Sequence, residues 1–369
     1  MAKSSRLRLR TRVVAHALLA RLAGGPRVRP GTVRRVLVAQ HLLAGDTLML
    51  APLLAKLRAR YPDAEIVVTT RRGFLPLFAG HPYKVRALAF DPRDGASLTE
   101  LLEERGYDLA LVPGDNRYSW LAAALGASWV AAFSGDRPAH KSWMVDEFVH
   151  YPGYPMAWSD MNTLLVDGPF PPAYRPGDWP APPAAPFARP EGRYAVLHVE
   201  ASTPLKHWEP AKWMALASYL QKNGIAPVWS AGPEGESLIR KIDPENTFQA
   251  VGHKLKLEQL WHLVADAAAL VCVDTSVAHI GKLTFTPTVC LFGPSSAALF
   301  GKGRFWQDAP FEAVTVADFP CRDQRTLFKR RIEWIRRCQR STAECAEPRC
   351  MHAIGVDGVL DALRGMKVA

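Results

Sequence analysis

Acidic residues are absent from the start of this sequence. Between Met1 and Gly45 there is no Asp or Glu, while ten Lys and Arg occur, and the whole chain carries a net charge of +11. A second basic stretch runs from Arg322 to Arg340. Such stretches suit an anionic partner. No nucleic-acid recognition signature accompanies them, so we expect no nucleic-acid partner. Anionic lipid, a phosphorylated glycolipid and ordinary solvated surface charge stay open as alternatives.

Long apolar runs are absent as well. No segment of about 18 consecutive apolar residues occurs, which excludes an ordinary transmembrane helix. The apolar run Val13–Ala20 follows several arginines and imitates a signal peptide, but it contains His16, ends at Arg21 and precedes no good cleavage site. We interpret it as a basic amphipathic segment that lies on a membrane surface, with a frayed, functionless terminus as the alternative.

Cysteine is sparse, with six in 369 residues, which is too few for a disulfide framework and is typical of a reduced, intracellular protein. Four of the six fall near the end of the chain, at Cys321, Cys338, Cys345 and Cys350. They form no C-x-x-C pair, so we expect them to pack the C-terminal tail and predict no metal site.

Apolar runs typical of buried parallel strands, such as Glu65–Thr70 and Trp129–Phe133, alternate with segments of helical spacing such as Leu48–Arg60. Prolines cluster between Gly168 and Pro190, which favours an extended connector, and the alternation then resumes. We therefore predict an α/β fold of two Rossmann-like domains with parallel sheets. The predicted ranges are a basic segment 1–32, a first Rossmann-like domain 33–168, a linker 169–192, a second Rossmann-like domain 193–350 and a C-terminal helix 351–369.

Polar side chains cluster where predicted strands end, and open α/β sheets bind ligands at that edge. Four segments show this pattern: His41–Asp46, Ser202–Trp208, Gly232–Glu236 and Val273–His279, the last followed by Phe292–Ser296. Hydroxyls and a lysine before a helix suit a phosphate, as does the N-terminus of the helix that begins near Val277. A carboxylate after a glycine turn suits ribose hydroxyls. No G-x-G-x-x-G occurs, so a dinucleotide site is disfavoured.

Each segment has a plainer interpretation when it is taken alone. Asp46 is then a helix cap, Lys206 a solvated cation beside a capped loop, and His279 a core or capping histidine. The four segments together are more specific, because they occur in one order along two repeated α/β patterns.

In that order and spacing the chain resembles glycosyltransferase family nine, the ADP-heptose:lipopolysaccharide heptosyltransferases, from about Val36 to Leu363. The matching motifs are Gly45-Asp46 with Pro52, Lys206-His207-Trp208, Gly232 to Glu236, Asp274 to His279, Phe292-Gly293-Pro294, and Cys350-Met351 with Ile354.

The resemblance implies a role for each matching residue. Asp46 is the expected general base, which removes the proton of the acceptor hydroxyl. The expected donor-binding residues are Ser202, Thr203 and Lys206 at the diphosphate, Glu236 at the ribose, Asp274 at the heptose, and Thr275, Ser276 and His279 on the phosphate side. The family often has Gly where Ser276 stands, so the backbone approach to the donor differs here.

The resemblance also implies a GT-B enzyme whose two domains face an interdomain cleft. The expected reaction moves a heptose from ADP-heptose to the lipopolysaccharide core or a lipid A-Kdo acceptor, in the cytoplasm and at the anionic inner-membrane surface. No Asp-x-Asp metal motif occurs, so we expect no metal and no cofactor, with inversion of the anomeric centre. The alternatives are a same-family transferase with another nucleotide-sugar and a non-catalytic GT-B binding protein in envelope assembly.

Overall fold

The computed structural model describes residues 2–24, 27–251 and 255–368. Contacts divide the chain into two compact units. Unit 1 comprises Met1–Tyr154, Ser159–Pro171 and Thr326–Glu333, and unit 2 comprises Pro155–Trp158, Pro172–Arg325 and Trp334–Ala369. The domain ranges inferred from the sequence stay a prediction of how far each domain extends.

Unit 1 contains a parallel sheet of six strands within its described residues, in the order β3-β2-β1-β4-β5-β6. Its strands are β1 Arg35–Val38, β2 Glu65–Thr70, β3 Val85–Ala89, β4 Leu109–Val112, β5 Trp129–Phe133 and β6 Glu147–Val149. Val36 lies opposite Ile66 on one side and Leu109 on the other, in the centre of the sheet. The central strands β1, β2, β4 and β5 are mostly apolar and buried, as in parallel sheets with both faces covered by helices.

The helices of unit 1 are mostly short. They are α1 Ala2–Ala23, α2 Ala44–Leu48, α3 Ala51–Arg60, α4 Gly95–Glu103 and α5 Tyr118–Ala124, and α6 Trp158–Met161 spans the boundary between the units. Turns of 3₁₀ helix occur at Arg72–Phe78, Pro82–Lys84, Ala139–Ser142 and Asn162–Leu165. The prediction of one helix over 48–60 is wrong about where the helix begins, because two helices, α2 and α3, cover this part of the chain. Pro52 lies in the first turn of α3, where a missing N–H costs nothing, and a separate helix precedes it.

The N-terminal helix α1 packs onto unit 1. Leu9 lies in a cluster with Leu98 and Leu121, and Ala17 is fully buried against Ala123 and Ala124. Arg21 in the last turn of the helix and Arg27 beyond it pair with Asp146, and Arg29 pairs with Glu147 and Asp167. The interpretation as a frayed terminus is therefore wrong for this part of the chain. None of the helices in the described residues combines the length and hydropathy that a membrane crossing requires.

A small hairpin from late in the sequence also belongs to unit 1. Its strands are β13 Thr326–Leu327 and β14 Arg330–Arg331. The buried Arg330 guanidinium donates to Asn116 Oδ1 at 2.7 Å and to the Ser134 carbonyl at 3.0 Å, and it lies 3.4 Å from Asp136. The hairpin falls inside the range 193–350, so its place in unit 1 was not predicted from the sequence.

Unit 2 repeats the architecture of unit 1. Its six-stranded parallel sheet has the order β12-β11-β10-β7-β8-β9 over the described residues. The strands are β7 Tyr194–His198, β8 Ala226–Ser230, β9 Gln249–Ala250, β10 Ala269–Val273, β11 Thr288–Phe292 and β12 Phe311–Thr315. Counted from its own first strand, each sheet has the order 3-2-1-4-5-6 of a Rossmann fold. The predicted α/β fold of two Rossmann-like domains is confirmed.

The remaining helices flank this second sheet. They are α7 Pro210–Lys222, α8 Glu236–Ile242, α9 Leu257–Ala265, α10 Ser276–Thr284, α11 Ala297–Phe300, α12 Arg349–His352 and α13 Val356–Gly365, with a 3₁₀ turn at Pro204–Lys206. Three tryptophans anchor the core: Trp213 meets Trp208 and Trp229 edge to face, with ring centroids 5.1 Å and 6.5 Å apart. Such aromatic pairs add to the stability that their burial gives.

Two of the motifs quoted above meet in this core. Met351 is fully buried, and its side chain lies against Gly293, so that a Cβ on Gly293 would overlap the Met351 sulfur and Cγ. Gly293, which follows β11, therefore has to be a glycine, because the Met351 side chain occupies the space that a Cβ would need.

We expect Gly293→Ala to lower the free energy of unfolding by about 1–3 kcal/mol, because overpacking strains a dense core. The additional substitution Met351→Ala should remove part of the clash, so the two effects should not add. Urea denaturation followed by circular dichroism measures both. The matched control is Gly365→Ala, where a Cβ meets nothing within 4 Å. Strictly additive effects of the two substitutions would contradict the contact.

Candidate functional site

Asp46 lies in unit 1, in the first turn of the short helix α2 that follows β1. It is half-exposed. The N-cap positions of α2 and α3 are Leu43 and Leu50, and neither helix has a side-chain cap. The interpretation of Asp46 as a mere cap of the following helix is therefore wrong, while its role as a general base stays a prediction.

A cavity of about 720 Å³ in unit 1 lies beyond the carboxyl ends of β1, β2 and β3. Its apolar wall includes Phe90, Leu121 and, from α1, Leu9 and Val13. The polar lining is dominated by cations, namely Arg10, Arg71, Arg72, Arg93, Arg117 and Lys141, with Asp91 as the acidic residue among the described lining. The cavity thus combines an apolar wall with a cationic rim.

The charges around this cavity differ in how far they are neutralised. Lys141 lies 3.0 Å from both Asp115 and Asp136, and Arg117 lies 2.9 Å from Asp115. At the rim, burial lowers the pKa of His41, and Arg71 lowers it further. Protonation of His41 is therefore opposed mainly by its burial, with Arg71 adding to the effect and Asp91 opposing it.

Sequence reasoning missed this cavity, although a signal was present. Arg71-Arg72-Gly73 directly follows β2, and Phe90-Asp91 directly follows β3. Both are strand ends of the kind that singled out Asp46. What could not be read from the sequence is that α1, far away in the chain, supplies part of the wall.

In unit 2, the central polar contact joins Lys206 to Asp274. Lys206 Nζ donates to Asp274 Oδ2 at 2.6 Å and to the Asp274 backbone carbonyl at 3.0 Å. Asp274 follows β10 and is nearly buried, while about a fifth of the Lys206 side chain stays exposed. Thr203 caps the 3₁₀ turn that holds Lys206 by accepting from the Leu205 N–H at 3.4 Å.

The N-terminus of α10 adjoins this ion pair. Thr275 is the N-cap residue, Ser276 is the first helical residue, and neither is fully buried. The first amides of a helix have no intrahelical acceptor and carry a partial positive charge, so they attract an anion.

His279 lies one turn into α10 and is buried, with no hydrogen-bond partner for its Nδ1 among the described residues. Burial places its pKa well below the usual range, and Lys282 and Lys206 lower it further. The imidazole is therefore neutral at neutral pH. The structure thus brings five of the predicted donor-binding residues together: Lys206, Asp274, Thr275, Ser276 and His279.

The remaining predicted donor residues lie at the surface of unit 2. Ser202 is exposed in the loop after β7. Glu236 begins α8, is also exposed, and pairs with Arg240 at 3.4 Å. Their assignment to the diphosphate and the ribose stays a prediction.

Gly232 and Gly235, which precede Glu236, lie against the carboxylate of Glu200. This residue was not predicted from the sequence. Glu200 Oε2 accepts from the Gly232 N–H at 2.6 Å, and a Cβ on Gly232 or Gly235 would crowd the Glu200 carboxylate. Glu200 lies just beyond β7, so its position at a strand end was the available signal. The glycine turn thus positions a carboxylate at the edge of the sheet.

Several arginines of the second basic stretch, 322–340, form hydrogen bonds and ion pairs within the protein. Arg322 donates to the carbonyls of Phe292 and Gly293, and Arg340 pairs with Asp323 at 2.7 Å. With Arg330 buried in unit 1, these cations hold loops in place. This weakens the stretch as a candidate for binding an anionic partner.

The four late cysteines lie around one cavity of about 440 Å³ in unit 2. Cys350 is buried, as expected for packing, whereas Cys321, Cys338 and Cys345 are partly exposed. Burial raises the pKa of the Cys350 thiol, and the three neighbouring cysteines add to the rise while Arg322 opposes it. All six cysteines of the chain are free. Within the described residues no group of three or more His, Cys, Asp or Glu is arranged to hold a metal ion.

Comparisons with known proteins agree with this architecture. The model of glycosyltransferase family 9 (heptosyltransferase) matches residues 96–309. Lipopolysaccharide heptosyltransferase 1 of Pseudomonas aeruginosa is 24% identical over 371 residues, covering 91% of this chain and 98% of that protein.

Two solved Escherichia coli structures share the fold. ADP-heptose LPS heptosyltransferase II is 17% identical with a TM-score of 0.67, covering 90% of this chain and 98% of that one. Heptosyltransferase WaaC, solved with ADP, is 16% identical with a TM-score of 0.63, and the match covers 90% of this chain and 99% of that one. Because the family model spans more than half of the sequence and the two Rossmann-like units match the heptosyltransferase fold, this chain belongs to glycosyltransferase family 9, the heptosyltransferases, and is a glycosyltransferase.

Proposed function

We propose that this enzyme transfers a heptose from ADP-heptose to a phosphorylated acceptor of the lipopolysaccharide inner core. The observation that carries the proposal is the Lys206–Asp274 ion pair at the N-terminus of α10. A cation, a helix N-terminus and a carboxylate together suit a sugar diphosphate, since the phosphates take the cation and the amides. The names of the relatives, lipopolysaccharide heptosyltransferase and a heptosyltransferase solved with ADP, agree with this donor and acceptor.

Donor binding on this proposal exchanges the partners of Lys206. The diphosphate takes the ammonium group, and the Asp274 carboxylate turns to hydroxyls of the heptose. Thr275 and Ser276 donate to phosphate oxygens, and Glu236 accepts from the ribose. The neutral His279 contributes no repulsion toward Lys206, which is why a buried histidine is tolerated beside two lysines.

Transfer requires one proton acceptor and stabilisation of the leaving group. Asp46 takes the proton of the acceptor hydroxyl, whose oxygen forms a bond to the anomeric carbon. The bond from that carbon to the phosphate oxygen breaks, and ADP leaves with the electron pair. Lys206 and the amides of α10 stabilise the new negative charge. Attack opposite the leaving group inverts the anomeric centre. A requirement for added Mg²⁺ or Mn²⁺ would contradict this scheme.

The cavity of unit 1 supports the anionic acceptor. Its cations Arg71, Arg72 and Arg93 suit phosphate and carboxylate groups, and the apolar wall at Phe90 and Leu121 suits the less polar part of a glycolipid. Asp46 lies in the same unit as this cavity.

The exposed side of α1 supports a second proposed partner, the anionic surface of the inner membrane. Leu9, Val13 and Ala17 form the docked stripe, and Val14, Leu18 and Leu22 form a second stripe about 140° further round the helix. This second stripe is exposed, with Leu22 at 83%. Two exposed arginines of the same helix outside the cavity lining, Arg8 and Arg12, would meet lipid phosphates.

The decisive experiment combines the enzyme with ADP-heptose and truncated lipopolysaccharide. We expect release of ADP and a mass increase of one heptose on the acceptor. Turnover only with a different nucleotide-sugar would replace the donor, and binding without turnover on any donor would indicate a binding protein.

We expect Asp46→Asn to lower kcat by about 10²–10⁴-fold, because the amide cannot accept the acceptor proton. ADP affinity should not change, since the proposed donor residues lie in unit 2. Steady-state kinetics and calorimetry separate these effects. The control Asp63→Asn changes a carboxylate in the exposed loop after α3 and should retain full activity. If Asp46→Asn kept more than about half of the wild-type rate, Asp46 would not be the base.

Lys206→Ala should weaken ADP binding by about 10–100-fold, since a charge-assisted contact contributes about 1.5–3 kcal/mol. Lys206→Arg keeps the charge and should recover part of the affinity. The control Lys222→Ala removes an exposed lysine at the end of α7 and should change nothing. Calorimetry with ADP measures all three variants. Unchanged ADP affinity in Lys206→Ala, with an unchanged Tm, would exclude Lys206 from the site.

Leu18→Ser/Leu22→Ser should reduce binding to vesicles with anionic lipids by at least about tenfold, because both exposed apolar side chains lose their contact with lipid. These substitutions are preferable to deleting the segment, which would uncover the core at Leu9. Binding should also fall with added salt. Cosedimentation measures it, with Leu164→Ser as the control at an exposed leucine outside α1. Equal cosedimentation of wild type and double variant would show that this stripe does not contact the membrane.

A further inference from the structure

A chain of ion pairs runs from the hairpin β13–β14 to the cavity of unit 1. Its members, in order, are Arg330, Asp136, Lys141, Asp115 and Arg117, and all of them belong to unit 1. Arg330 lies 3.4 Å from Asp136, and Lys141 lies 3.0 Å from both carboxylates. Arg117 completes the chain at 2.9 Å from Asp115.

The two ends of this chain differ in exposure. The side chains of Arg330 and Asp136 are 2% and 0% exposed, whereas that of Arg117 is 44% exposed. Arg117 and Lys141 line the cavity, while Arg330 and Asp136 are not among its described lining residues. The chain therefore leads from the interior of unit 1 to a surface that a ligand can reach, and Arg330 can act on such a ligand through the residues between them.

Arg330 is fixed by hydrogen bonds as well as by its charge. Its Nη2 donates to Asn116 Oδ1 at 2.7 Å, and its Nε donates to the Ser134 carbonyl at 3.0 Å. The Asn116 N–H in turn donates to Asp136 Oδ2 at 2.8 Å. Both loops directly follow strands of the sheet, since Asn116 lies after β4 and Ser134 after β5. The guanidinium group thus shares the charge of a buried carboxylate that has little access to water.

The balance of charges along the chain determines how much positive charge reaches the cavity. Three cations and two carboxylates leave one positive charge. Without Arg330, the charge of Asp136 would fall on Lys141, and the remaining groups would balance to zero. Burial lowers the pKa of Arg117, but its hydrogen bond with Asp115 outweighs this effect, and the more distant Asp136 adds to the rise. The charge of Asp136 therefore acts at the cavity as well as at Arg330, because buried charges are screened less than exposed ones.

We propose that Arg330 is a positioning residue of the acceptor cavity, which neutralises Asp136 so that Lys141 and Arg117 keep a net positive charge for an anionic acceptor. The proposal rests on the proposed function in one respect, namely that this cavity takes the phosphorylated acceptor. Arg330 touches neither the acceptor nor the reacting atoms. It therefore sets the affinity for phosphate or carboxylate groups on the acceptor and not the rate of the chemical step.

The kinetic test removes the two buried charges separately and then together. Arg330→Gln should raise the KM for truncated lipopolysaccharide by about 3–10-fold, because the cavity loses one positive charge. The kcat and the KM for the donor should stay within about twofold of wild type, since neither depends on acceptor affinity. Arg330→Lys keeps the charge and should recover part of the loss. The double variant Arg330→Gln/Asp136→Asn restores the balance of charges and should return the acceptor KM toward the wild-type value.

The matched control is Arg331→Gln, which removes one positive charge from the neighbouring residue of β14. The Arg331 side chain is 74% exposed and pairs with Glu333, so the acceptor KM should not change. The Tm of every variant is measured beside its kinetics. An acceptor KM that rises at least as far in the double variant as in Arg330→Gln would show that the buried chain only supports the fold, and would overturn the proposal.

A second readout needs no acceptor. His41 lines the same cavity, so the pKa of its imidazole, followed by NMR with His41→Gln for assignment, reports the local charge. Loss of a positive charge favours the protonated imidazole, so Arg330→Gln should raise the pKa of His41, and the double variant should restore it. If Arg330→Gln does not fold, Asp136→Asn alone should lower that pKa, because it adds net positive charge.

The two readouts separate this proposal from the proposed function. If the wild-type enzyme neither binds nor modifies truncated lipopolysaccharide, the proposed acceptor is wrong, and the titration of His41 still decides whether Arg330 sets the charge of the cavity. An unchanged acceptor KM in folded Arg330→Gln would overturn the proposal. In an enzyme without turnover, an unchanged pKa of His41 in Arg330→Gln, or in Asp136→Asn where the first variant does not fold, would do the same.

Discussion

The ion pair between Lys206 and Asp274 organises the proposed donor site in unit 2. It joins the loop after β7 to the loop after β10, two adjacent strands whose carboxyl ends meet at one edge of the sheet. The N-terminus of α10 begins at the same point, so a cation, a carboxylate and free amides converge there. Because the aspartate is nearly buried, loss of the lysine would leave a poorly solvated charge, so each partner stabilises the other. On the proposed function, a diphosphate replaces the aspartate as the partner of the lysine.

The proposed acceptor site in unit 1 depends on a different constraint, the docking of α1. Leu9 and Ala17 fix this helix against α4 and α5, and that docking completes the cationic cavity at the ends of β1, β2 and β3. The same helix leaves Leu18 and Leu22 exposed. One element thus serves packing on one side and offers an apolar stripe on the other. On the proposed function, the basic N-terminal segment therefore contributes both to the acceptor site and to attachment at a lipid surface.

The proposed transfer needs no metal, because Lys206 and the amides of α10 supply positive charge where the leaving group develops negative charge.

The sequence by itself determined the alternation of strands and helices, because period and apolarity are local properties, and strands such as Glu65–Thr70 and Trp129–Phe133 occur where they were predicted. It also determined which strand ends carry polar groups, and so found Lys206 and Asp274. Only the tertiary structure decided which distant residues meet. Arg330 returns to unit 1, Met351 requires Gly293, and Glu200 occupies the space that two glycines leave. These contacts join residues far apart in the chain, so no local pattern records them, and packing alone selects their partners.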